Sequence, residues 1–216
     1  SEICWKVLRE QTVWIAPAGV DPADIFPLII GTDAEVGEPM IADRRLPLIS
    51  ATGSCRMGRR VGEVVAKRLG RCLLELGGNN AIIVMDDADP EKAAELAASG
   101  SYKNSGQRCT AARRLIVKGT MYDPLIAEVK RLADRIIVGG PLDEPPPFMG
   151  PVIDNQAADG LTESFLYLLS HGGKAIKHLV RPKEDLPFLS PAIIDVTAVK
   201  ERPDVELFGP LLQVVR

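Results

Sequence analysis

Short apolar runs alternate along the chain with longer segments in which apolar residues recur with helical spacing. The runs are typical of buried strands and cover residues 26–31, 47–50, 72–76, 81–84, 115–117 and 211–215, with two more strand-like segments between 173 and 211. Helical spacing or a helix start signal marks residues 35–42, 54–69, 89–102, 123–136 and 157–169. Strands that alternate with helices of this length predict an α/β fold with a largely parallel sheet.

Residues at the ends of several segments support this assignment. Asp89 followed by Pro90 is typical of an N-cap with proline at the first helical position. Gly70 is expected to cap the helix that begins at Ser54. Gly172-Gly173 are expected to close the helix over residues 157–169. Along the helix from Ser54, one apolar stripe is predicted to face the core: Met57, Val61, Val64, Val65 and Leu69. Four prolines between Pro141 and Pro147 predict a loop.

Composition and charge narrow the functional classes. The chain has 216 residues, 46% of them hydrophobic, which is enough for one core and part of a second. Its net charge of -3 disfavours a dedicated nucleic-acid-binding protein, which would usually be basic. No apolar run approaches the length needed to cross a membrane. We therefore expect neither nucleic acid nor membrane as a partner.

The cysteines and histidines disfavour a metal site. The four cysteines contain no CxxC pair, which excludes a zinc ribbon, and they are too sparse for a disulfide framework. A reducing, cytoplasmic location is expected, with each cysteine either buried or reactive. The only histidines, His171 and His178, cannot form an HExxH site. No metal ligands are predicted.

A glycine-containing turn is a candidate phosphate site. Thr52-Gly53-Ser54, with Gly58 four residues further on, lies where a strand gives way to a helix. Gly53 allows a ligand to approach the backbone closely, and the helix N-terminus offers N–H groups to a phosphate. The spacing matches neither a GxGxxG fingerprint nor a Walker A loop. Taken alone, these residues favour the alternative of an ordinary strand-to-helix turn.

Glu75 is a candidate general base. It ends an apolar strand and is followed by Gly77-Gly78. A carboxylate at such a position is costly unless it is paired, hydrated or functional. Ligands of parallel sheets gather at the carboxyl ends of the strands. The alternative is a side chain that simply points to solvent.

Cys109 is a candidate nucleophile. It follows Gly106-Gln107-Arg108 between a helix and a strand, and the cation of Arg108 would favour the reactive thiolate. A buried, inert cysteine is the alternative. A thiol nucleophile, a carboxylate base and a phosphate-binding turn together suit oxidation of an aldehyde by a dinucleotide.

Four motifs carry a resemblance to a known family: Thr52-Gly53-Ser54 with Gly58, Leu74 to Asn79, Gly106 to Cys109, and Glu206-Leu207-Phe208-Gly209-Pro210. In these residues and in their order the chain resembles the aldehyde dehydrogenase superfamily. The resemblance implies an aldehyde dehydrogenase-like α/β fold, in which a parallel-sheet remnant of the cofactor domain (1–77) joins part of an α/β catalytic domain (78–216). It also implies NAD or NADP as cofactor and a homo-oligomeric full-length form.

The same resemblance implies residue roles. Cys109 is the expected nucleophile and Glu75 the expected general base. Expected cofactor contacts are Thr52, Gly53, Ser54, Gly58, Leu76, Glu206 and Phe208, with Glu206 on the nicotinamide ribose. Because family members are longer, the chain is expected to be a fragment without the adenosine-gripping segment and the oxyanion asparagine. A truncated, non-catalytic remnant or interaction module is the alternative to an enzyme.

The substrate is expected to be an anionic aldehyde. Residues 50–54 and 74–84 resemble the α-aminoadipic semialdehyde (antiquitin-type) group, whereas 147–150 and 202–216 resemble succinylglutamate semialdehyde dehydrogenase. Residues 100–105 resemble phosphonoacetaldehyde dehydrogenase. All three groups oxidise aldehydes that carry an anionic group, so Arg108 is predicted to bind that group. An ion pair with a nearby carboxylate is the alternative role for Arg108.

Overall fold

The computed structural model describes residues 27–216 together with residues 6, 7, 10, 21 and 24. It has the predicted mixture of helices and parallel strands. The chain divides into two compact units between Leu76 and Gly77. The assignment of residues 1–77 to a cofactor domain and of 78–216 to a catalytic domain stays a prediction.

The first unit is built on two parallel strands. A π-helical turn (Asp33–Gly37) and helix α1 (Glu38–Ala42) precede strand β1 (Leu48–Gly53), helix α2 (Cys55–Lys67) and strand β2 (Arg71–Leu76). The strands pair in parallel over their full length. A small core joins α2 to α1 and β1 through Ile41, Ile49, Val61 and Val65.

Two apolar segments of this unit differ from the sequence prediction. Residues 27–31 form no strand, and Ile30 is 85% exposed, because no described strand pairs with the segment; Phe26 lies outside the described residues. Leu69 does not belong to the buried stripe of α2, since the helix ends at Lys67 and Leu69 is 95% exposed. Leu69 takes the left-handed conformation (φ 62°) that Gly70 was expected to supply. The Gly70 N–H then donates to the Val65 carbonyl, which closes the helix.

The second unit contains a five-stranded sheet in the order β3-β4-β7-β6-β5. Four strands are parallel and β5 is antiparallel to β6. The strands are β3 (Ala81–Val84), β4 (Arg114–Val117), β5 (Lys174–Lys177), β6 (Ala192–Asp195) and β7 (Leu211–Val215). The helices are α3 (Pro90–Tyr102), α4 (Tyr122–Asp134) and α5 (Asn155–Ser170), with a 3-10 turn over Lys103–Gly106.

The helix ends of this unit follow the predicted signals. The Asp89 side chain accepts hydrogen bonds from the Glu91 and Lys92 N–H groups and caps α3. Gly172 has a φ of 98°, and the Gly173 N–H donates to the Leu168 carbonyl to close α5. The core lies between the sheet and helices α3 and α4 and includes Leu115, Leu125, Val129, Ile193 and Leu212. Within the described residues, no helix has the length and apolarity required to cross a bilayer.

Candidate active site

In the first unit, the predicted residues meet at the carboxyl ends of β1 and β2. Thr52 is the register partner of Glu75, and Gly53 is the partner of Leu76. Register partners on parallel strands project from the same face of the sheet, so Thr52 and Glu75 share a face. Both side chains are exposed.

Helix α2 begins directly at this edge. Ser54 is its N-cap, and the Ser54 hydroxyl accepts a hydrogen bond of 3.1 Å from the Met57 N–H. The positive end of the helix dipole therefore lies beside the carboxyl end of β1, which favours an anionic group there. Gly58 is buried, and a Cβ at this position would lie 2.5 Å from Leu76 Cδ1. Its smallness thus lets α2 pack on the end of β2.

A groove of about 640 Å³ lies between α1 and α2 next to this turn. Thr52 and the apolar side chains of Met40, Ile41 and Met57 line it, together with Arg56 and Arg60. Arg60 is paired with Glu38 at 2.8 Å, and this hydrogen bond lowers the pKa of the Glu38 carboxyl. Asp33 and Glu38 also line the groove, so it combines apolar walls with charged side chains of both signs beside the strand-to-helix turn.

In the second unit, Cys109 lies on a loop that follows an unusual backbone turn. Asn104 and Ser105 have φ values of 56° and 55°, and Gly106 has a φ of 70°. A Cβ on Gly106 would lie 2.5 Å from the Gly209 carbonyl carbon, so glycine is required there. Three successive residues in a conformation that L-amino acids seldom adopt are held by the surrounding structure.

Side-chain hydrogen bonds fix the loop on two sides. Gln107 donates from Nε2 to the Pro151 carbonyl (3.2 Å) and accepts at Oε1 from the Ile153 N–H (2.8 Å). Asn80 donates from Nδ2 to the Cys109 carbonyl at 2.6 Å. The Cys109 side chain is a free, exposed thiol, which contradicts the alternative of a buried, inert cysteine.

The structure adds one residue that the sequence reasoning missed, Arg113. Its side chain is 1% exposed and is the largest fully buried side chain among the described residues. It donates to Glu206 Oε1 at 2.6 Å and lies over the ring of Phe208, with 4.9 Å from Cζ to the ring centroid. It also donates to the carbonyls of Gly106 and Arg108, each at 3.0 Å. Arg113 thereby joins the loop before Cys109 to the predicted ribose-binding segment.

These residues lie at the amino ends of the parallel strands, not at the carboxyl ends where Glu75 lies in the first unit. Cys109 and Arg113 precede β4, and Glu206 precedes β7. Gly77 precedes β3, and a Cβ added to it would lie 2.7 Å from Glu206 Cδ. The general preference of ligands for carboxyl ends therefore does not describe this part of the candidate site.

Arg108 is exposed, and within the described part of the chain no carboxylate forms an ion pair with it. The adjacent charges are used elsewhere, because Arg113 pairs with Glu206 and Arg114 pairs with Asp204. Hydrogen bonds from Asn79 and Arg114 lower the pKa of Asp204. The described residues thus leave Arg108 without the ion pair that was its alternative role.

Metal-binding and disulfide chemistry find no support in the described residues. No group of three or more His, Cys, Asp or Glu side chains is arranged to hold a metal ion there. Cys55, Cys72 and Cys109 form no disulfide bond among the described residues. Cys4 lies outside the described residues.

Comparison with known proteins identifies the family to which the chain belongs. The model of the aldehyde dehydrogenase family matches residues 12–216, and the chain belongs to this family. It is 58% identical over 200 residues to N-succinylglutamate 5-semialdehyde dehydrogenase from Novosphingobium aromaticivorans, covering 92% of this chain and 42% of that protein. It is 36% identical over 195 residues to aldehyde dehydrogenase family 7 member A1 from Malus domestica, covering 90% of this chain and 38% of that protein.

Solved structures agree with this assignment. Betaine aldehyde dehydrogenase from Staphylococcus aureus in complex with NAD+ matches with a TM-score of 0.78 and 29% identity, over 87% of this chain and 38% of that one. A mutant of aldehyde dehydrogenase C from Pseudomonas syringae in complex with NAD+ and octanal matches with a TM-score of 0.80 and 28% identity, over 87% and 39%. The chain spans about two fifths of the length of the relatives it matches. The predicted family and its resemblance to succinylglutamate semialdehyde dehydrogenases are confirmed.

Proposed function

We propose that the intact protein oxidises an acidic semialdehyde to a carboxylate, with NAD or NADP as hydride acceptor and a thioester on Cys109 as intermediate. The observation that carries the proposal is the exposed thiol of Cys109 on a loop fixed by Gln107 and Asn80. A thiol that acts as nucleophile must be accessible and held in place, and both conditions are met.

The proposed substrate is succinylglutamate semialdehyde. The curated relatives at 58% and 52% identity are named N-succinylglutamate 5-semialdehyde dehydrogenases. Arg108, next to the nucleophile, is exposed and forms no ion pair with a described carboxylate. Its planar guanidinium can bind a substrate carboxylate through two parallel hydrogen bonds. Aminoadipate semialdehyde and phosphonoacetaldehyde are the alternatives that the sequence motifs leave open.

The residues of the first unit fit a dinucleotide. The helix N-terminus at Ser54 and the exposed Thr52-Gly53 backbone suit a pyrophosphate, and the adjoining groove of about 640 Å³ has apolar walls that would contact a neighbouring part of the dinucleotide. Leu76 of the same unit would supply an apolar contact. In the second unit, the carboxylate of Glu206 would accept hydrogen bonds from the ribose hydroxyls, and Phe208 would supply an apolar contact. When bound, the nicotinamide supplies a hydride acceptor.

The chain's own residues account for the other steps. The Cys109 thiolate adds to the aldehyde carbon and forms a C–S bond, and the carbonyl oxygen becomes an oxyanion. Loss of the hydride from that carbon restores the carbonyl and leaves a thioester on Cys109. Glu75 takes a proton from a water molecule, whose oxygen attacks the thioester and releases the carboxylate and the thiolate.

The direct test is steady-state oxidation of succinylglutamate semialdehyde by the intact protein, followed as reduced cofactor at 340 nm. Cys109→Ala is expected to abolish turnover and to leave dinucleotide binding unchanged in calorimetry. Cys72→Ala is the matched control, because Cys72 is also an exposed free thiol and lies on β2 outside the proposed nucleophile loop. Turnover of Cys109→Ala within a few-fold of the parent protein would contradict the proposal.

The cellular location and the oligomeric state of the protein are also proposed. We propose a reducing, cytoplasmic location, because the described cysteines form no disulfide bond with one another. We also propose that the full-length form is a homo-oligomer, as the family resemblance implies.

A further inference from the structure

We propose that Arg113 is a positioning residue that holds the ribose-binding carboxylate, Glu206, and the nucleophile loop in one fixed arrangement. The inference rests on the proposed function, because it takes Glu206 as a cofactor contact and Cys109 as the nucleophile. No sequence motif includes Arg113, which directly precedes Arg114, the first residue of β4. Its role follows from its burial and from the partners of its guanidinium.

Burial of this cation requires compensation, and the compensation shows what Arg113 holds. A guanidinium removed from water is costly unless charge and hydrogen bonds are both matched. Arg113 meets this condition with two hydrogen bonds to Glu206 Oε1 (2.6 and 3.1 Å) and one each to the Gly106 and Arg108 carbonyls. Two of these four hydrogen bonds go to the predicted ribose-binding carboxylate, and the other two go to the loop that leads to Cys109.

The backbone of Arg113 makes it a rigid support. Its N–H donates to the Asn80 carbonyl and its carbonyl accepts from the Gln213 N–H, each at 3.0 Å. Asn80 directly precedes β3 and Gln213 lies on β7, so the residue is anchored between neighbours of β4 on both sides. A side chain held at this point can transmit a displacement of Glu206 to the carbonyls beside Cys109.

Two further contacts limit the freedom of Glu206. Its Oε2 lies against Gly77, where a side chain would overlap it, while Oε1 is held by Arg113. Phe208, two residues on, stacks on the same guanidinium. Reorientation of Glu206 therefore requires a change at Arg113, and Arg113 also holds the loop that leads to the nucleophile.

The first test is Arg113→Lys in the intact enzyme, with kcat expressed per active site titrated by the burst of reduced cofactor. Lysine keeps the charge but cannot reach Glu206 and two carbonyls at once. We expect KM for the dinucleotide to rise and kcat per titrated site to fall, each by about tenfold or more. Arg181→Lys is the matched control, because Arg181 also bridges side chains and a carbonyl, but at Asp159, Asn155 and Leu186.

A purely structural role gives a different result. It would lower the melting temperature and the fraction of titratable sites, while KM and kcat per site would stay within twofold of the parent enzyme, and that result overturns the inference. If Arg113→Lys does not fold, Glu206→Gln in the cofactor-free protein gives the answer. Hydrogen–deuterium exchange of residues 106–111 is then expected to become faster, and unchanged exchange overturns the inference.

The second measurement also separates this inference from the proposed function. It needs neither cofactor nor turnover, so it reports on the link between Glu206 and the loop even if the intact protein oxidises no aldehyde. Absence of turnover in the parent protein would contradict the proposed function alone. Normal turnover with an insensitive Arg113→Lys variant would contradict the positioning role alone.

Discussion

The carboxylate of Glu206 lies directly against Gly77, with 2.7 Å between Glu206 Cδ and the place where a Cβ on Gly77 would be. The absence of a side chain at Gly77 therefore leaves the space that the Glu206 carboxylate occupies. The hydrogen atom of Gly77 faces a carboxylate that Arg113 fixes from the other side. Any side chain at residue 77 must displace either the carboxylate or the backbone, and both lie in the proposed cofactor site.

Gly77→Ala tests this relationship. The added methyl group is expected to push Glu206 away from its position and to weaken dinucleotide binding by about tenfold or more, the equivalent of one charge-assisted hydrogen bond. Isothermal titration of the intact protein with NAD measures the change. Gly78→Ala is the control, since its Cβ would meet only Asn80 Oδ1 at 3.9 Å. Equal effects of the two substitutions would show that the Gly77–Glu206 contact is unimportant.

Two glycines of α2 predict opposite changes in stability. A Cβ at Gly58 would overlap Leu76 Cδ1 at 2.5 Å, whereas a Cβ at Gly62 would lie 3.8 Å from Leu74 Cδ1. Gly58→Ala is expected to lower the free energy of unfolding by about 1–3 kcal/mol through overpacking. Gly62→Ala is expected to raise it by about 0.5–1 kcal/mol, because alanine favours the helix. Urea-induced unfolding measures both, and stabilisation by Gly58→Ala would refute the packing role of Gly58.

Arg108→Leu is predicted to change substrate selectivity. Loss of a charge-assisted contact costs roughly 1.5–3 kcal/mol, so kcat/KM for succinylglutamate semialdehyde should fall roughly 10- to 150-fold. The value for propanal, which has no anionic group, should hardly change. Arg59→Leu removes an exposed arginine of α2 and serves as the control. Equal losses with both aldehydes in Arg108→Leu would assign the residue a structural role.

Acid stability should depend on the hydrogen bond between Tyr122 and Asp195. Burial raises the pKa of Asp195, but hydrogen bonds from the Tyr122 hydroxyl and from the N–H and side chain of Thr197, with the charge of Lys174, together lower it by more, so the folded value lies below the ordinary one. A lowered carboxyl pKa stabilises the fold above the unfolded value of about 3.9, and this contribution is lost as the pH falls through the folded value.

Tyr122→Phe should therefore lower the melting temperature at pH 7. The difference in melting temperature between the variant and the parent protein should shrink below about pH 4. Tyr167→Phe is the control, because the Tyr167 hydroxyl donates to the Glu201 carbonyl, which does not titrate. Differential scanning calorimetry between pH 3 and 7 measures both differences. A pH-independent difference for Tyr122→Phe would exclude Asp195 as the group responsible.

Local signals in the sequence were sufficient for most of the fold. The spacing of Val61 and Val65, the cap at Asp89 and the glycines after α5 each depend on neighbouring residues and predicted the observed elements. The segment 27–31 could not be predicted in this way, because an apolar run becomes a strand only if a partner strand pairs with it. Leu69 could not be predicted correctly either, because its helical spacing continues the apolar stripe although the helix has already ended and the side chain is exposed.

Only those residues of the candidate site that belong to recognisable motifs could be predicted from the sequence. Glu75 and Cys109 stand in recognisable motifs, whereas the role of Arg113 depends on contacts with Glu206, which is distant in sequence. One signal was available, namely two adjacent arginines at the start of a strand in which Leu115 and Val117 are buried. Side chains alternate along an extended backbone, so an inward position for one of the two arginines could be expected. The sequence alone could not say which one, or which carboxylate would meet it.

The central claim is that a thioester forms on Cys109 and that Glu75 removes it. Glu75→Gln keeps the size of the side chain but cannot accept a proton from water, so hydrolysis should slow more than the first hydride transfer. A burst of reduced cofactor should precede slow turnover. The acyl-enzyme should then accumulate to a level that can be detected.

The most direct measurement is the mass of the intact Glu75→Gln protein, quenched in acid after mixing with NAD and succinylglutamate semialdehyde. The account predicts an added mass equal to the succinylglutamyl acyl group, located on the Cys109 peptide after digestion and absent in Glu75→Gln/Cys109→Ala. An unmodified Cys109 peptide in a sample that has produced a burst of reduced cofactor would contradict the account, as would an acyl group on another cysteine.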